Sequence, residues 1–242
     1  MAEKPKYINA GGELIDLSVP KVMGIINITP DSFYSESRVS GDKEIIETAL
    51  KMIEEGADIL DVGGYSSRPS AEDITADEEG KRVLNAVRII RKELPAAVVS
   101  VDTFRAEIAK EAVFVYGAHI INDISGGVAD EKMFDVVAQL GVPYIMMHMK
   151  GNPRTMQENP EYDDVVADIL FWFGNRIAKL KNAGVKDIII DPGFGFGKTI
   201  KHNFEMLERL GDFSIAGLPV LVGISRKSMI WKTLSVTPAE AL

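Results

Sequence analysis

Short apolar runs alternate with longer amphipathic segments along the whole chain. The runs are continuous rather than alternating in polarity, which is typical of parallel strands buried on both faces. The segments between them carry apolar residues three and four positions apart, the spacing of amphipathic helices. The chain is therefore predicted to be a parallel α/β protein. Seven runs are predicted as strands: Lys21–Asn27, Asp58–Gly64, Val98–Asp102, His119–Asp123, Pro143–His148, Asp187–Gly193 and Pro219–Ser225.

Four of the predicted strands carry an aspartate where the apolar run stops. These residues are Asp61, Asp102, Asp123 and Asp191. In parallel α/β folds the ligand lies at the carboxyl ends of the strands, so all four side chains are expected at one mouth. Carboxylates that share a site disfavour each other's ionisation, so such a mouth suits a ligand with hydrogen-bond donors or positive charge.

The strand–helix alternation continues without a linker-like segment through all 242 residues. That length favours a (β/α)8 TIM barrel in one domain, residues 1–242, over an open sheet. A hairpin predicted at about residues 7–18 would close the bottom of the barrel. Because only seven strands are predicted, we expect a barrel truncated at its C-terminus, before strand eight and helix eight.

Composition narrows the possible partners and location. The net charge is −9, which argues against binding to nucleic acid or to an anionic membrane. The chain has no cysteine, which excludes disulfides and zinc–thiolate sites. Neither a signal peptide nor an apolar run of about 20 residues is visible, so a cytoplasmic protein is expected.

Two loops that follow the first strands carry candidate ligand-binding residues. In Asn27–Phe33, Asn27 offers an amide oxygen to a metal or an NH₂ group to a phosphate. In Gly63–Pro69, paired glycines allow close approach of a ligand, and Ser67 and Arg68 suit an anion. Ordinary turn chemistry and a surface loop explain the two segments equally well.

Two later motifs add aromatic and basic residues. The glycine spacing in Asp191–Lys198 fits neither a phosphate-binding P-loop nor a dinucleotide fingerprint, but the loop presents Phe194 and Phe196, one of which could stack on an aromatic ligand. The segment Ser225–Ser228 places Arg226 and Lys227 at a predicted helix start, which favours anions. The alternatives are a tight turn with buried rings and a pair of solvated bases.

The three histidines, His119, His148 and His202, show no metal-binding spacing. His148 ends the fifth predicted strand, where it either lines the mouth or is a hydrogen-bonded rim residue.

Taken together and in order, the motifs closely resemble the dihydropteroate synthase family. The segments that carry the resemblance are NITPDSF, DVGGYSSRP, SVDT, HIINDISG, MHMKGNPRTMQ, DPGFGFGK and GISRKSMI, within Val22–Leu242. The resemblance implies a barrel that joins 6-hydroxymethyl-7,8-dihydropterin pyrophosphate to p-aminobenzoate and releases pyrophosphate. It also implies Mg²⁺ as cofactor and leaves open a homodimer.

The resemblance assigns roles residue by residue. The catalytic positions would be Lys227, Asp102, Asp191 and Asn27, with Asn27 holding Mg²⁺. The pterin pyrophosphate would contact Asp61, Ser67, Asp102, Asn122, Asp191 and Lys227. The p-aminobenzoate site would be formed by Phe33, Ser67, Arg68, Pro69, Phe196 and Ser228.

The sequence departs from the family pattern in two places, and two rival functions remain. Ser67 stands where the family usually has threonine, and the R-x-H-D motif of strand eight is missing. The first rival is a methyltetrahydrofolate-dependent corrinoid methyltransferase, which has a related barrel. The second is a pterin-binding protein without catalytic activity, which would bind pterin but release no pyrophosphate.

Overall fold

The computed structural model describes residues 7–28, 38–66, 73–151, 156 and 160–241, with the backbone alone at 38–40. The strands are β1 (Tyr7–Ala10), β2 (Glu13–Asp16), β3 (Met23–Asn27), β4 (Ile59–Gly63), β5 (Val98–Asp102), β6 (Ile120–Asp123), β7 (Tyr144–Met147) and β8 (Ile188–Asp191). The helices are α1 (Arg38–Glu54), α2 (Ala76–Glu93), α3 (Ala106–Phe114), α4 (Met133–Leu140), α5 (Val165–Ala183), α6 (Ile200–Glu208) and α7 (Ser228–Leu234), with a 3₁₀ helix at Leu210–Ala216.

Six parallel strands of the described chain form one sheet in sequence order, from β3 to β8. A helix follows each strand, which is the arrangement of a TIM barrel. The predicted fold class is therefore confirmed. Within the described residues, no helix is both long and apolar enough to cross a membrane.

The seventh predicted strand, Pro219–Ser225, is wrong as a full strand, because it forms only a single bridge, between Val220 and Ile190. The Ile190 amide donates to the Pro219 carbonyl at 3.0 Å, and the Leu221 amide donates to the Ile190 carbonyl at 2.9 Å. The next donor on that side of β8 would belong to Pro192, which has no N–H group. The ladder therefore stops after one step.

Each parallel strand divides its side chains between two faces. One face packs against the helices and forms the main core, which includes Leu60, Val62, Val99 and Val101. The other face begins with an apolar floor inside the barrel, and the β1–β2 hairpin packs beneath that floor through Ile8. The floor consists of Met23, Ile59, Val98, Ile120, Ile145, Ile189 and Leu221.

Helix α2 shows how local sequence sets the element boundaries. The Thr75 side chain accepts a hydrogen bond from the Glu78 amide and caps the helix. Acidic residues occupy the first turn, and Arg91 and Lys92 lie in the last turn, an arrangement that complements the helix dipole. The capped helix packs its apolar face on β4 and β5, whose carboxyl ends carry candidate site residues.

Candidate active site

The inward face of the barrel changes from apolar to polar just above the floor. Because side chains on a strand alternate between faces, the residues two positions beyond the floor also point inward. Four of these positions are polar, namely Asp61 on β4, Ser100 on β5, Asn122 on β6 and Asp191 on β8, whereas β3 and β7 carry the apolar Ile25 and Met147. The sequence therefore builds a mainly polar layer directly above the apolar floor.

Asp61 and Asn122 are in direct contact across the intervening strand β5. The Asn122 amide donates to one Asp61 oxygen at 3.0 Å, and both side chains are buried. The second Asp61 oxygen and the Ser100 hydroxyl are also buried and make no hydrogen bond within the described residues. Burial raises the pKa of Asp61, and the neighbouring Ser100 hydroxyl and the Asn122 bond only partly offset that effect.

Asp102 lies one step higher on β5 than Ser100, next to Gly63 and Asn27. A Cβ placed on Gly63 would lie 3.4 Å from an Asp102 carboxylate oxygen and 3.6 Å from the Asn27 amide oxygen. Two hard oxygen donors therefore border the same small space. Burial, followed by the charge of Asp61, raises the pKa of Asp102 well above its usual value.

Asp123 does not lie at the mouth, so that expectation is wrong. It is adjacent to the inward-facing Asn122 and therefore points outward, into the layer between sheet and helices. Its carboxylate accepts hydrogen bonds from the Ser125 amide and hydroxyl, the Gly127 amide and the Tyr144 hydroxyl, at 2.7–2.8 Å. Asp123 holds the loop after β6 in place.

Asp191 and Lys227 form a further part of the mouth, where a carboxylate is accompanied by a cation. Asp191 is buried and accepts a hydrogen bond from the Gly193 amide at 2.7 Å. Burial raises the pKa of Asp191, while the Gly193 bond and the charges of Lys227 and Lys198 lower it. Burial lowers the pKa of Lys227, and Asp191 opposes this shift. The two opposite charges therefore influence each other in a partly buried place.

The glycine-rich loop after β8 is built on left-handed backbone. Gly193, Gly195 and Gly197 have φ values of 72°, 81° and 64°, which glycine adopts without steric cost. A Cβ on Gly193 would overlap the carbonyl oxygen of His148, and one on Gly197 would lie 2.6 Å from the carbonyl oxygen of Lys150. The loop therefore packs backbone against backbone on the end of β7.

The two loop phenylalanines have different roles. Phe194 is buried in the main core. Phe196 is only half-buried, and its ring centroid lies 4.2 Å from the Lys227 ammonium. This cation–π contact places Phe196, and not Phe194, beside the mouth.

Replacing Gly193 with alanine should destabilise the protein by more than about 3 kcal/mol, because left-handed strain and overpacking add together. Gly141 is a matched control, since its φ of 66° is similar but no atom lies within 4 Å of the position that a Cβ would take there. Gly141→Ala should cost only the strain, about 1–2 kcal/mol. Urea unfolding of both variants measures the difference. Equal decreases in the free energy of unfolding would show that the close approach to His148 does not contribute to the cost.

The buried side chain of Lys198 hydrogen-bonds to the backbone of the glycine-rich loop. The Lys198 ammonium lies 3.1 Å from His148 Nδ1 and donates to the carbonyl oxygens of Phe196 and His148 at 2.9 and 3.2 Å. Burial lowers the pKa of Lys198 to about 7 and, together with the charge of Lys198, lowers the pKa of His148 to about 2. His148 is therefore a neutral, hydrogen-bonded rim residue rather than an exposed site residue.

Some predicted site residues lie outside the described residues: Phe33, Ser67, Arg68 and Pro69. The chain on either side of the 67–72 gap is anchored, since Arg82 donates to the Gly64 carbonyl at 3.3 Å and Arg105 to the Ile74 carbonyl at 2.7 Å. Ser228 is half-buried at the first position of α7, directly after Lys227.

Sequence reasoning missed Lys198 and a second buried charged group, Glu79 on α2. Glu79 accepts a hydrogen bond from Thr103 at 2.5 Å and pairs with Arg105 at 2.9 Å. The charge of Glu79 is one of the causes that raise the pKa of Asp102. For Glu79, the only available signal was that its partners Thr103 and Arg105 come shortly after Asp102, the aspartate that ends β5. Among the described residues, no cluster of three or more metal-binding side chains is present.

Comparisons with known proteins agree with this geometry. The family model described as "Pterin binding enzyme" matches residues 23–241. Dihydropteroate synthase of Escherichia coli K12 is 45% identical over 96% of this chain and 82% of its own length. The chain resembles the Yersinia pestis dihydropteroate synthase in its sulfonamide complex with a TM-score of 0.89 at 37% identity, covering 98% of this chain and 85% of that one.

The Xanthomonas albilineans dihydropteroate synthase, solved with 7,8-dihydropteroate, superimposes with a TM-score of 0.84 at 35% identity over 97% of this chain and 84% of that one. These relatives share the fold and carry the same name. They favour a transferase over either rival function. The chain belongs to the dihydropteroate synthase family of pterin-binding transferases, which act in folate synthesis.

Proposed function

We propose that the inward polar layer binds 6-hydroxymethyl-7,8-dihydropterin pyrophosphate and that the side of the mouth beside Phe196 receives p-aminobenzoate. The observation that carries the proposal is the set of buried acceptors on β4, β5, β6 and β8, facing the half-buried Lys227. The Xanthomonas relative binds 7,8-dihydropteroate, which contains both substrate moieties.

The pterin ring fits the polar layer by its chemistry. Its amino-pyrimidinone edge is a row of N–H donors, and Asp61, Asp102, Asn122 and Asp191 offer acceptors for it. A buried carboxylate oxygen without a partner, such as the second oxygen of Asp61, is costly until a donor reaches it. Lys227 supplies the complementary donor for the ring carbonyl or for N5. Binding the pterin therefore satisfies groups that the free protein leaves unpaired.

The diphosphate end fits the space above Gly63. Asn27 and Asp102 border that space with oxygen atoms, the donors that Mg²⁺ prefers. Mg²⁺ often binds through one or two protein ligands plus substrate phosphates, so a larger cluster is not required. We assign Asn27 as its protein ligand, and Mg²⁺ bound there would neutralise the leaving diphosphate.

The reaction exchanges one bond for another at the pterin methylene carbon. The bond to the diphosphate oxygen breaks, and its electron pair leaves with pyrophosphate. The amine nitrogen of p-aminobenzoate forms the new C–N bond with its lone pair and then loses a proton. Asp61 and Asp102 stabilise positive charge that develops on the pterin as the leaving group departs. The walls of the mouth hold the two reactants in line, which lowers the entropic part of the barrier.

The remaining residues complete the second substrate site. Phe196 offers a ring face beside Lys227, and Ser228 follows Lys227 at the start of α7. We assign both to p-aminobenzoate, together with Phe33, Ser67, Arg68 and Pro69, which lie outside the described residues. Ser67 keeps the hydroxyl group of the threonine that the family usually has, so we expect the substitution to be mild.

Pyrophosphate release by the purified chain tests the proposal. We expect release only when both substrates and Mg²⁺ are present, and loss of release when EDTA is added. Asn27→Ala should raise the Mg²⁺ concentration needed for half-maximal rate about tenfold, because it removes one of few protein ligands. Release without p-aminobenzoate dependence, or pterin binding without any release, would contradict the assignment.

A further inference from the structure

The Lys198 ammonium makes more polar contacts than its place in a surface-loop motif would suggest. It is 3% exposed and has three acceptors within 3.2 Å: His148 Nδ1, the His148 carbonyl and the Phe196 carbonyl. The protonated amine has three N–H donors, one for each acceptor, and the neutral form still has two, enough for both carbonyl groups. A buried lysine is costly unless it is paired in this way, which indicates a defined role.

The acceptors belong to two separate parts of the fold. His148 directly follows β7, whereas Phe196 lies in the glycine-rich loop after β8. Gly193 and Gly197 bring these backbones so close that no side chain fits between them. The Lys198 side chain turns back from the end of the loop, and its terminal nitrogen donates hydrogen bonds to both carbonyl groups.

Lys198 holds the backbone of Phe196, and the ring of Phe196 borders the mouth. The Phe196 carbonyl receives the shortest of the Lys198 hydrogen bonds, 2.9 Å, and its amide donates to the Gly193 carbonyl at 3.1 Å. The Phe196 ring then meets the Lys227 ammonium at 4.2 Å. A shift of the Phe196 backbone would therefore move the ring relative to Lys227.

We propose that Lys198 is a positioning residue that fixes the Phe196 ring for p-aminobenzoate, acting through the Phe196 and His148 carbonyl groups. The inference rests on the proposed function, in which Phe196 borders the p-aminobenzoate site. Lys198 does not touch the substrate and takes no part in bond making. Its main effect is on the affinity and alignment of the second substrate, and its charge acts only weakly on Asp191 at the pterin side.

Other contacts keep the loop folded when Lys198 is changed. The Gly195 amide donates to the Asn203 side chain at 2.7 Å, and the Tyr162 hydroxyl donates to the Gly197 carbonyl at 2.8 Å. Neither contact uses the Lys198 ammonium. Removing the ammonium should therefore loosen the Phe196 segment without unfolding the loop.

A double-mutant cycle of Lys198→Met and Phe196→Ala tests the proposal, with pyrophosphate release as the readout. Lys198→Met should raise KM for p-aminobenzoate about tenfold, because small misplacements of a binding group have effects of this size or larger. KM for the pterin substrate should rise much less, about threefold at most, since Asp191 loses only the weaker influence of the Lys198 charge and keeps its Gly193 bond and the charge of Lys227. In the Phe196→Ala background, Lys198→Met should add almost nothing.

Two further variants serve as controls. Lys201→Met removes the same charge from an exposed position three residues later and should leave both KM values unchanged. Lys198→Gln keeps N–H donors on a shorter side chain and should give a KM for p-aminobenzoate between those of the parent and of Lys198→Met. Should Lys198→Met not fold, the same cycle is run with Lys198→Gln.

The outcomes separate the inference from the proposed function. If Phe196→Ala raises KM for p-aminobenzoate but Lys198→Met does not, the positioning role is wrong and the proposed site stands. If Phe196→Ala itself has no effect, the assignment of Phe196 is wrong and the positioning role falls with it. Equal increases in both KM values, or additive effects in the cycle, would show a general structural role and overturn the inference.

Discussion

Lys227→Met should lower kcat/KM for pyrophosphate release about a hundredfold or more, the usual loss when one charged donor is removed from a preorganised site. Methionine keeps the stem that packs over Gly195, where the Lys227 Cδ atom comes within 3.2 Å of a Cβ position. Only the ammonium is lost, and with it the contact to Phe196 and the charge opposite Asp191. Pterin affinity and turnover should therefore fall together.

Lys232, on the helix α7 that begins directly after Lys227, is the matched control for Lys227. It is exposed and rests on the Trp231 ring at 5.3 Å, away from the inward layer. Lys232→Met makes the same chemical change and should keep full activity. Turnover at the parental rate in Lys227→Met, with normal thermal unfolding, would reduce Lys227 to a solvated base at a helix start.

Asp102→Asn should weaken binding of 6-hydroxymethyl-7,8-dihydropterin about tenfold to a hundredfold, because a hydrogen bond to a charged group contributes about 1.5–3 kcal/mol. Asp123→Asn is the same change on the neighbouring strand but on the other face. It should leave binding unchanged and lower the free energy of unfolding by about 1–3 kcal/mol, since an amide NH₂ would face donors such as the Tyr144 hydroxyl. Calorimetric titration and urea unfolding measure the two effects.

Asp102→Asn should also make the free protein more stable at neutral pH. The folded-state pKa of Asp102 is raised above 3.8, so the folded protein binds the extra proton and loses stability as pH rises from 3.8 through the raised pKa. Asparagine has no such dependence, so the advantage of the variant should grow across that pH window and vanish below it. If the difference in stability between Asp102→Asn and the parent is constant with pH, burial and the charge of Asp61 do not raise the pKa of Asp102.

The overall fold could be predicted because continuous apolar runs and helical spacing are strong local signals. The faces of the strands could not be assigned in the same way. In β6 both faces are buried and apolar, so the sequence shows no alternation that separates Asn122 from Asp123. Only the register with neighbouring strands shows that Asn122 points inward. Asp123 was therefore placed at the mouth on the strength of its position at a strand end.

The contacts of Lys198 and the short seventh run lay beyond sequence reasoning for another reason. Lys198 meets His148 across 50 residues of sequence, and no local pattern records such a contact. The single bridge at Val220 depends on a missing donor in a different strand, at Pro192. The Lys198 contact and the single bridge both depend on residues that are distant in sequence but adjacent in the folded structure. By contrast, Asp61, Asp102 and Asp191 could be placed on the inward face of the strand ends, because the end of a parallel strand is itself a position in space, whereas Asn122 was named only through the family resemblance.

Because each strand has an inward and an outward face, substitutions that change stability and substitutions that change specificity fall at different positions. On β4, Asp61 faces the barrel interior and Val62 faces the helices; on β5, Asp102 and Val101 divide in the same way. Substitutions at outward positions can alter packing and offset the cost of a crowded acidic mouth without touching substrate recognition. Stability and specificity can therefore change independently within one five-residue strand, which gives an evolving or engineered variant room to repair one while altering the other.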